Sequence, residues 1–158
     1  MVDVSLATRM DAPRERVFDL SRCVDLQPLP SSRGDTKGAD EVREVELLNE
    51  DDVLTWRLRN FGFTLEPKVR VTGFEKPESL RYDLVEGPFE SMVFKRVFEE
   101  KDGDVVVKDL FRFESGFGPL GAVIDMLHFR HYIRSLAMDR NCRLQEVAES
   151  DEWREYLE

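Results

Sequence analysis

The sequence predicts an α+β domain in which a curved, seven-stranded antiparallel sheet wraps around a long C-terminal helix, with two short helices after the first strand. Three observations predict this class: runs of alternating apolar and polar residues, short turn sequences between consecutive runs, and one long helical period near the end. Strands joined by short turns pair antiparallel, so the final helix is left to cover one face of the sheet. Residues 1–158 are expected to form a single domain, because their number suffices for a core and no linker or repeat divides them.

The N-terminal segment holds one strand and the two short helices. Val2–Met10 alternates apolar with polar residues, as a strand with one buried face does. Asp11 is expected to be the N-cap of the first helix, with Pro13 in its first turn. A second short helix is predicted over residues 23–29, followed by a polar loop over residues 31–40.

Six more strands are predicted in sequence. They cover residues 41–48, 52–60, 63–75, 79–86, 89–100 and 104–115. In the first hairpin we expect three facing pairs: Leu47 with Leu54, Val45 with Trp56, and Glu44 with Arg57. Pro67 predicts an irregularity in its strand, because proline has no N–H for the ladder.

The hairpin formed by the last two strands carries the most informative pattern. Asp102 and Gly103 form a typical two-residue turn, and pairing Lys101 with Asp104 sets the register by counting. The facing pairs are then Phe98 with Val107, Arg96 with Asp109, Phe94 with Phe111, and Met92 with Phe113. All eight side chains share one sheet face, so one charged pair lies within an otherwise apolar wall. Such a wall is typical of a small-molecule pocket with a polar anchor.

A long helix is predicted to begin after residues 116–119 and to run to about residue 148. Its apolar stripe changes face at residues 128–131. One face carries Leu120, Val123, Ile124 and Leu127, and the other carries Phe129, Ile133, Leu136, Leu144 and Val147. Either the helix kinks there or its first turns contact something other than the sheet. The acidic tail over residues 149–158 either docks or frays.

Composition and motifs exclude several classes of function. The net charge of −10 argues against nucleic acid or an anionic membrane as the partner. No secretory signal or membrane-spanning run is present, and the two isolated cysteines, Cys23 and Cys142, indicate reduced thiols; a cytoplasmic protein is expected. We expect no cofactor and no metal, because there is no nucleotide or phosphate motif and His128 and His131 lack further ligands. The oligomeric state stays open.

Four stretches carry a resemblance to a known superfamily. They are residues 10–13 with 16–20, residues 54–56 leading to 60–62, residues 94–98, and residues 108–113 leading to 118–121. In order and spacing the chain resembles the START-like (SRPBCC) superfamily, the helix-grip fold of lipid-transfer, pollen-allergen-like and polyketide cyclase/dehydrase-like proteins. The resemblance covers nearly the whole chain and implies a cavity between the sheet and the last helix. This fold hosts carriers, cyclases, hydrolases and regulators, so it does not settle an activity.

The candidate ligand-binding residues come from the inward faces of these elements. They are Trp56, Tyr82, Met92, Phe94, Arg96, Phe98, Asp109, Phe111, Phe113, Leu127 and His131. Arg96 would donate to a ligand oxygen while Asp109 holds its guanidinium in place. Alternatively the pair only fixes the strand register, or it lies near the hairpin end in solvent.

Three functions remain open. The leading hypothesis is a binding protein for an apolar or aromatic small molecule, such as a lipid, a polyketide or an isoprenoid-like compound. The alternative is a cyclase or dehydratase-type enzyme in which Arg96 polarises a carbonyl and Asp109, Tyr82 or His131 moves protons. A third is a module that docks another protein through residues 120–127. No catalytic residue is assigned.

Overall fold

The computed structural model describes residues 2–32, 47–60, 62–115 and 126–158. The strands are β1 (Val2–Met10), β2 (Ser31–Ser32), β3 (Val53–Trp56), β4 (Leu58–Asn60), β5 (Phe63–Leu65), β6 (Lys68–Glu75), β7 (Ser79–Glu86), β8 (Phe89–Lys101) and β9 (Asp104–Ser115). The helices are α1 (Arg14–Ser21), α2 (Met126–Glu149) and α3 (Trp153–Leu157), with a 3-10 turn at Val24–Leu26. Among the described residues, no helix combines the length and the apolar character needed to cross a bilayer.

The strands form a curved antiparallel sheet of seven in the order β1-β9-β8-β7-β6-β3-β2, and β4 pairs separately with β5. This arrangement confirms the predicted fold class. The β8–β9 register also agrees with the prediction at every counted pair, from Met92 opposite Phe113 to Lys101 opposite Asp104. Asp102 and Gly103 have φ values of 52° and 87°, and a type I′ turn needs positive φ at both positions.

The predicted hairpin of residues 41–48 with 52–60 is wrong where the structure describes it. Residues 41–46, which include Glu44 and Val45, lie outside the described residues. Leu47 bridges Cys23 instead of facing Leu54. Leu54 pairs with Val69 on β6, and β2 occupies the other edge of β3. The predicted strand over residues 52–60 is interrupted at Arg57 and divides into β3 and β4. The predicted strand over residues 63–75 is interrupted near Pro67 and divides into β5 and β6, which confirms the expected irregularity.

Two expectations about the helical segment after β1 are also corrected. Asp11 does not cap α1: the N-cap is Pro13, and the Asp11 backbone N–H donates to Glu149 Oε1 at 2.8 Å. The second short helix is reduced to the 3-10 turn. The Gln27 side-chain amide donates to the Cys23 carbonyl at 3.0 Å, taking the acceptor that a continuing helix would use, and Pro28 has no N–H.

Helix α2 covers the concave face and bonds to the edge strand β1 of the large sheet and to β4 of the small one. Arg134 donates to the Ser5 carbonyl of β1 at 2.8 Å, and the Arg59 N–H of β4 donates to the Tyr132 hydroxyl at 2.9 Å. The expected packing stripe is confirmed by the buried residues Phe129, Ile133, Leu144 and Val147, with Leu136 half-buried. The other proposed stripe lies outside the described residues except for Leu127, which is 74% exposed.

The acidic tail docks. Its short helix α3 places Trp153, Tyr156 and Leu157 against the core as half-buried side chains. The Arg16 guanidinium lies 4.3 Å from the centre of the Trp153 ring. Of the two alternatives for the tail, docking is therefore the one that the structure has.

The interior contains two apolar clusters. The first, here called the aromatic cluster, includes Trp56, Tyr82, Met92, Phe94, Phe111 and Phe113, with Phe129, Ile133 and Ala137 from α2. The second, the hairpin-end cluster, includes Met10, Phe18, Leu80, Phe98, Val105 and Val107, with Leu144, Val147 and Ala148 from α2. One helix therefore contributes to both halves of the core.

Candidate functional site

Arg96 and Asp109 lie directly opposite each other on β8 and β9, and both point inward. Their relative exposures are 1% and 3%, so the alternative of a solvated pair is wrong. The pairing is bidentate: Arg96 Nε donates to Asp109 Oδ1 at 2.6 Å, and Nη2 donates to Oδ2 at 2.9 Å. Two parallel charge-assisted hydrogen bonds thus compensate both charges within a low-dielectric interior.

Two further polar side chains complete this group, here called the polar layer: Arg96, Asp109, Asn141 and Ser21. Arg96 Nη2 also donates to Asn141 Oδ1 at 2.8 Å, and Nη1 donates to Ser21 Oγ at 3.3 Å. Asn141 Nδ2 in turn donates to Asp109 Oδ2 at 2.8 Å. Four of the five guanidinium N–H donors thus have acceptors among the described residues, and the fifth is on Nη1.

The polar layer lies between the two apolar clusters. Arg96 is flanked on the same sheet face by Phe94 of the aromatic cluster and Phe98 of the hairpin-end cluster. On α2, Asn141 lies between Ala137 and Leu144, which belong to different clusters. Phe98 therefore packs in a different cluster from Trp56, and its expected ligand-binding role stays a prediction.

The aromatic cluster brings together most of the predicted ligand-binding residues. The Trp56 ring lies 5.8 Å from Tyr82 and 5.9 Å from Phe94, both edge to face, and 6.3 Å from Phe111. The Phe94 and Phe111 rings are 4.6 Å apart. Met92 and Phe113 are buried in the same cluster. The inward face of β3, β7, β8 and β9 thus presents one continuous aromatic surface on this side of the polar layer.

Two buried polar atoms in this region have no hydrogen-bond partner among the described residues. They are the indole nitrogen Nε1 of Trp56 and the amide oxygen Oε1 of Gln27. Gln27 is held by its amide nitrogen, which donates to the Ser21 carbonyl at 2.9 Å and to that of Cys23. Buried polar atoms are nearly always paired in native proteins, so an unpaired one is informative.

Tyr82 is the titratable aromatic residue of this surface. Burial raises the pKa of its hydroxyl to about 12, although the nearby Arg96 charge and the Gln27 amide oppose that shift. The phenol is therefore neutral at ordinary pH. It can donate or accept a hydrogen bond but does not serve as a base.

Leu127 and His131 are not part of the interior. Both side chains are exposed, whereas Phe129, between them in sequence, is buried. Residues two positions apart on an α-helix point about 200° apart, so burial of Phe129 turns both neighbours outward. Leu127 and His131 therefore lie on the exposed side of α2, and their expected ligand-binding role stays a prediction.

Sequence reasoning missed Asn141, Ser21 and Gln27. Asn141 follows Ala137 by four residues and precedes Leu144 by three, so the helical period places it on the buried stripe. That spacing, together with a charged pair on the facing strands, is the signal that could have found it. Ser21 carries the same signal, since it follows the buried Val17 by four residues on α1. Gln27 leaves no comparable pattern, because it lies at the end of a 3-10 turn of three residues.

Metal-ligating side chains do not cluster in the described part of the chain. No three His, Cys, Asp or Glu side chains converge there. Cys23 is buried and Cys142 is exposed, and both are free thiols. Burial, with a smaller effect of Asp25, raises the pKa of Cys23 to about 12, which keeps this thiol protonated and unreactive.

Comparison with solved structures identifies the fold. The crystal structure of TTHA0849 from Thermus thermophilus matches with a TM-score of 0.69 and 16% identity, covering 93% of this chain and 99% of that one. The Aha1 dimer of Colwellia psychrerythraea matches at 0.59 and 15% identity over 94% and 97% of the two chains. The ginseng major latex-like protein 151 of Panax ginseng matches at 0.59 and 14% identity over 90% and 96%.

At these identities the likeness shows the fold alone, and the architecture is the helix-grip fold that the sequence predicts. No protein-family model matches the sequence, and no curated protein matches it.

Proposed function

We propose that this START-like helix-grip domain binds an apolar or aromatic small molecule, of the lipid, polyketide or isoprenoid-like kind, against its aromatic cluster. The observation that carries the proposal is the composition of the concave face beneath α2. Its aromatic rings surround Trp56, whose buried indole N–H has no partner among the described residues. Concave, largely apolar surfaces with a few unpaired polar atoms are typical of small-molecule sites.

The polar layer sets the boundary of the proposed site. Asp109 and Asn141 accept three hydrogen bonds from the Arg96 guanidinium, and a fourth joins Asn141 to Asp109. We propose that Arg96 uses its remaining Nη1 hydrogen as a secondary anchor for a ligand oxygen, with Asp109 positioning it. The hairpin-end cluster beyond this layer then serves as structural core.

We also infer that the protein works in the cytoplasm. The net charge of −10 supports free diffusion without adhesion to anionic surfaces. The two free thiols, one of them exposed, suit a reducing compartment.

A neutral fluorescent probe tests the proposed function. N-phenylnaphthylamine should bind the folded protein with increased emission, because the aromatic cluster excludes water from it. Phe111→Trp should weaken this binding at least tenfold, since the added ring volume enters a cluster whose Phe94 and Phe111 rings are only 4.6 Å apart.

The matched control is Phe98→Trp, which adds the same volume to the hairpin-end cluster on the other side of the polar layer. It should leave the probe affinity unchanged, provided that circular dichroism shows both variants folded. Absence of probe binding to the native protein, or equal weakening by both variants, would contradict the proposed site.

A further inference from the structure

The unpaired indole N–H of Trp56 specifies the chemistry of the ligand. We infer that the ligand is a neutral molecule whose apolar skeleton carries an acceptor oxygen, a carbonyl, ether or hydroxyl, that receives a hydrogen bond from Trp56 Nε1. This inference rests on the proposed function and narrows it from apolar compounds in general to neutral oxygenated ones.

Trp56 lies in the interior, enclosed by other aromatic rings. Its side chain is fully buried, and the rings of Tyr82, Phe94 and Phe111 lie around it. Its backbone N–H donates to the Pro67 carbonyl at 2.9 Å, and the residue pairs with Ser31 of β2. The indole is therefore held from both the backbone and the ring side, and none of it is exposed to solvent.

The acceptors of the polar layer are already occupied. Asp109 and Asn141 accept hydrogen bonds from Arg96, and Asp109 also accepts one from Asn141. The indole nitrogen is left with no acceptor among the described residues. An indole can only donate, so the missing partner is an acceptor.

The charges of the buried ion pair determine whether the ligand can be ionised. The buried Arg96 charge is already compensated by Asp109 through two hydrogen bonds. An ionised ligand would bring an additional, uncompensated charge into this interior, which is strongly unfavourable. The acceptor is therefore expected on a neutral molecule, and a carboxylate is the wrong head group.

Three small probes of one shape distinguish these cases. Acetophenone and α-methylstyrene differ only by exchange of a carbonyl oxygen for a methylene group, and benzoate carries a charged carboxylate on the same ring. We measure binding by following the two indole N–H signals of isotope-labelled protein, which come from Trp56 and Trp153. Trp153→Phe assigns the signals and is the matched control, because Trp153 lies on α3 outside the aromatic cluster.

We expect acetophenone to move the Trp56 indole proton downfield relative to α-methylstyrene, as a new hydrogen bond does. Trp56→Phe should weaken acetophenone about tenfold relative to α-methylstyrene, whereas Trp153→Phe leaves the ratio unchanged. Benzoate should bind at least tenfold more weakly than acetophenone. If Trp56→Phe does not fold, the proton shift in the native protein decides.

The outcomes separate this inference from the proposed function. If neither neutral probe binds the native protein, the proposed function and the hydrogen-bond inference are both contradicted. If both neutral probes bind, the Trp56 proton responds alike to each, and Trp56→Phe affects them equally, the proposed function stands and the hydrogen-bond inference is overturned. Benzoate binding as tightly as acetophenone would overturn the neutrality of the ligand.

Discussion

Substitution of Asp109 by alanine is expected to destabilise the domain severely. The Asp109 carboxylate accepts two hydrogen bonds from Arg96 and one from Asn141, all within the buried polar layer. Removal of the carboxylate leaves the Arg96 charge 1% exposed, with only Ser21 and Asn141 as hydrogen-bond partners among the described residues. The dominant effect is therefore an uncompensated buried charge rather than the loss of one attraction.

The magnitude follows from that charge. Breaking a buried ion pair from one side costs about 3–5 kcal/mol. Domains of this size unfold with a total free energy of about 5–15 kcal/mol, so the loss is a large fraction of the stability. The double variant Arg96→Met with Asp109→Leu replaces both partners by apolar residues and so leaves no uncompensated buried charge. It should therefore recover much of the stability that Asp109→Ala loses.

Urea titration measures these differences without adding salt that would screen charges. The matched control is Asp3→Ala, which breaks a cross-strand pair of the same residue types between β1 and β9. Asp3 faces Arg112 in register, with 3.4 Å between Asp3 Oδ1 and Arg112 Nε, but the two side chains are 47% and 56% exposed. This control should lose at most about 1 kcal/mol.

Two results would refute the reasoning. One is a loss for Asp109→Ala no larger than that for Asp3→Ala. The other is a double variant as unstable as the sum of its two single variants, because the partners of a buried ion pair must show coupling.

Three further outcomes follow from the structure. Gly103→Ala should lower the free energy of unfolding by about 1–3 kcal/mol, because φ is +87° there, although a Cβ would meet nothing within 4 Å. Gly103→Asn should lower the free energy of unfolding by less, because asparagine tolerates positive φ better. Equal losses in the two variants would rule out backbone strain as the cause. The free energy of unfolding should fall as pH rises from about 10 towards 12, by up to about 1.4 kcal/mol per pH unit. In this range the Tyr82 phenol ionises in the unfolded chain but stays protonated in the folded protein, where burial raises its pKa to about 12. Tyr82→Phe should reduce this alkaline loss, and an unchanged pH profile in that variant would show that the phenol makes no such contribution. A thiol reagent should modify Cys142 in the native protein but Cys23 only on unfolding. Cys142 is exposed, whereas Cys23 is buried and its pKa is raised to about 12. Rapid reaction of a folded Cys142→Ser variant would disprove this assignment.

The β8–β9 hairpin is predictable over most of its length because local chemistry determines its register. A two-residue Asp-Gly turn fixes the pairing of Lys101 with Asp104, and strand alternation then places the side chains as far as Met92 and Phe113; the register shifts only beyond them, between Phe89 and Ser91. The inward position of Arg96 and Asp109 follows from counting alone. Counting residues by the helical period likewise predicts the buried stripe of α2 from Phe129 onward.

The remaining features depend on contacts between distant segments. The edge of β3 is occupied by Ser31 and Ser32, a strand of two residues that is too short to show a period. Asn141 lies on the buried stripe by its spacing in the sequence, but a polar role for it follows only once Arg96 and Asp109 are placed opposite it. The prediction that His131 faces the interior rests on an apolar stripe that begins before residue 126, whereas Phe129 sets the orientation that the helix has.

The polar layer also determines where α2 stands along the sheet. Apolar side chains make non-directional contacts, so a helix resting on them alone could slide with little change in free energy. Asn141 bonds to Arg96, to Asp109 and to Thr8 of β1, and a slide of one helical turn, about 5.4 Å, would break all of these. The helix therefore has one axial position that does not depend on the apolar residues on either side of Asn141. Side chains of the aromatic cluster can then change in size and shape over evolution while the alignment of helix and sheet is kept. Such changes would alter which molecules fit against the cluster.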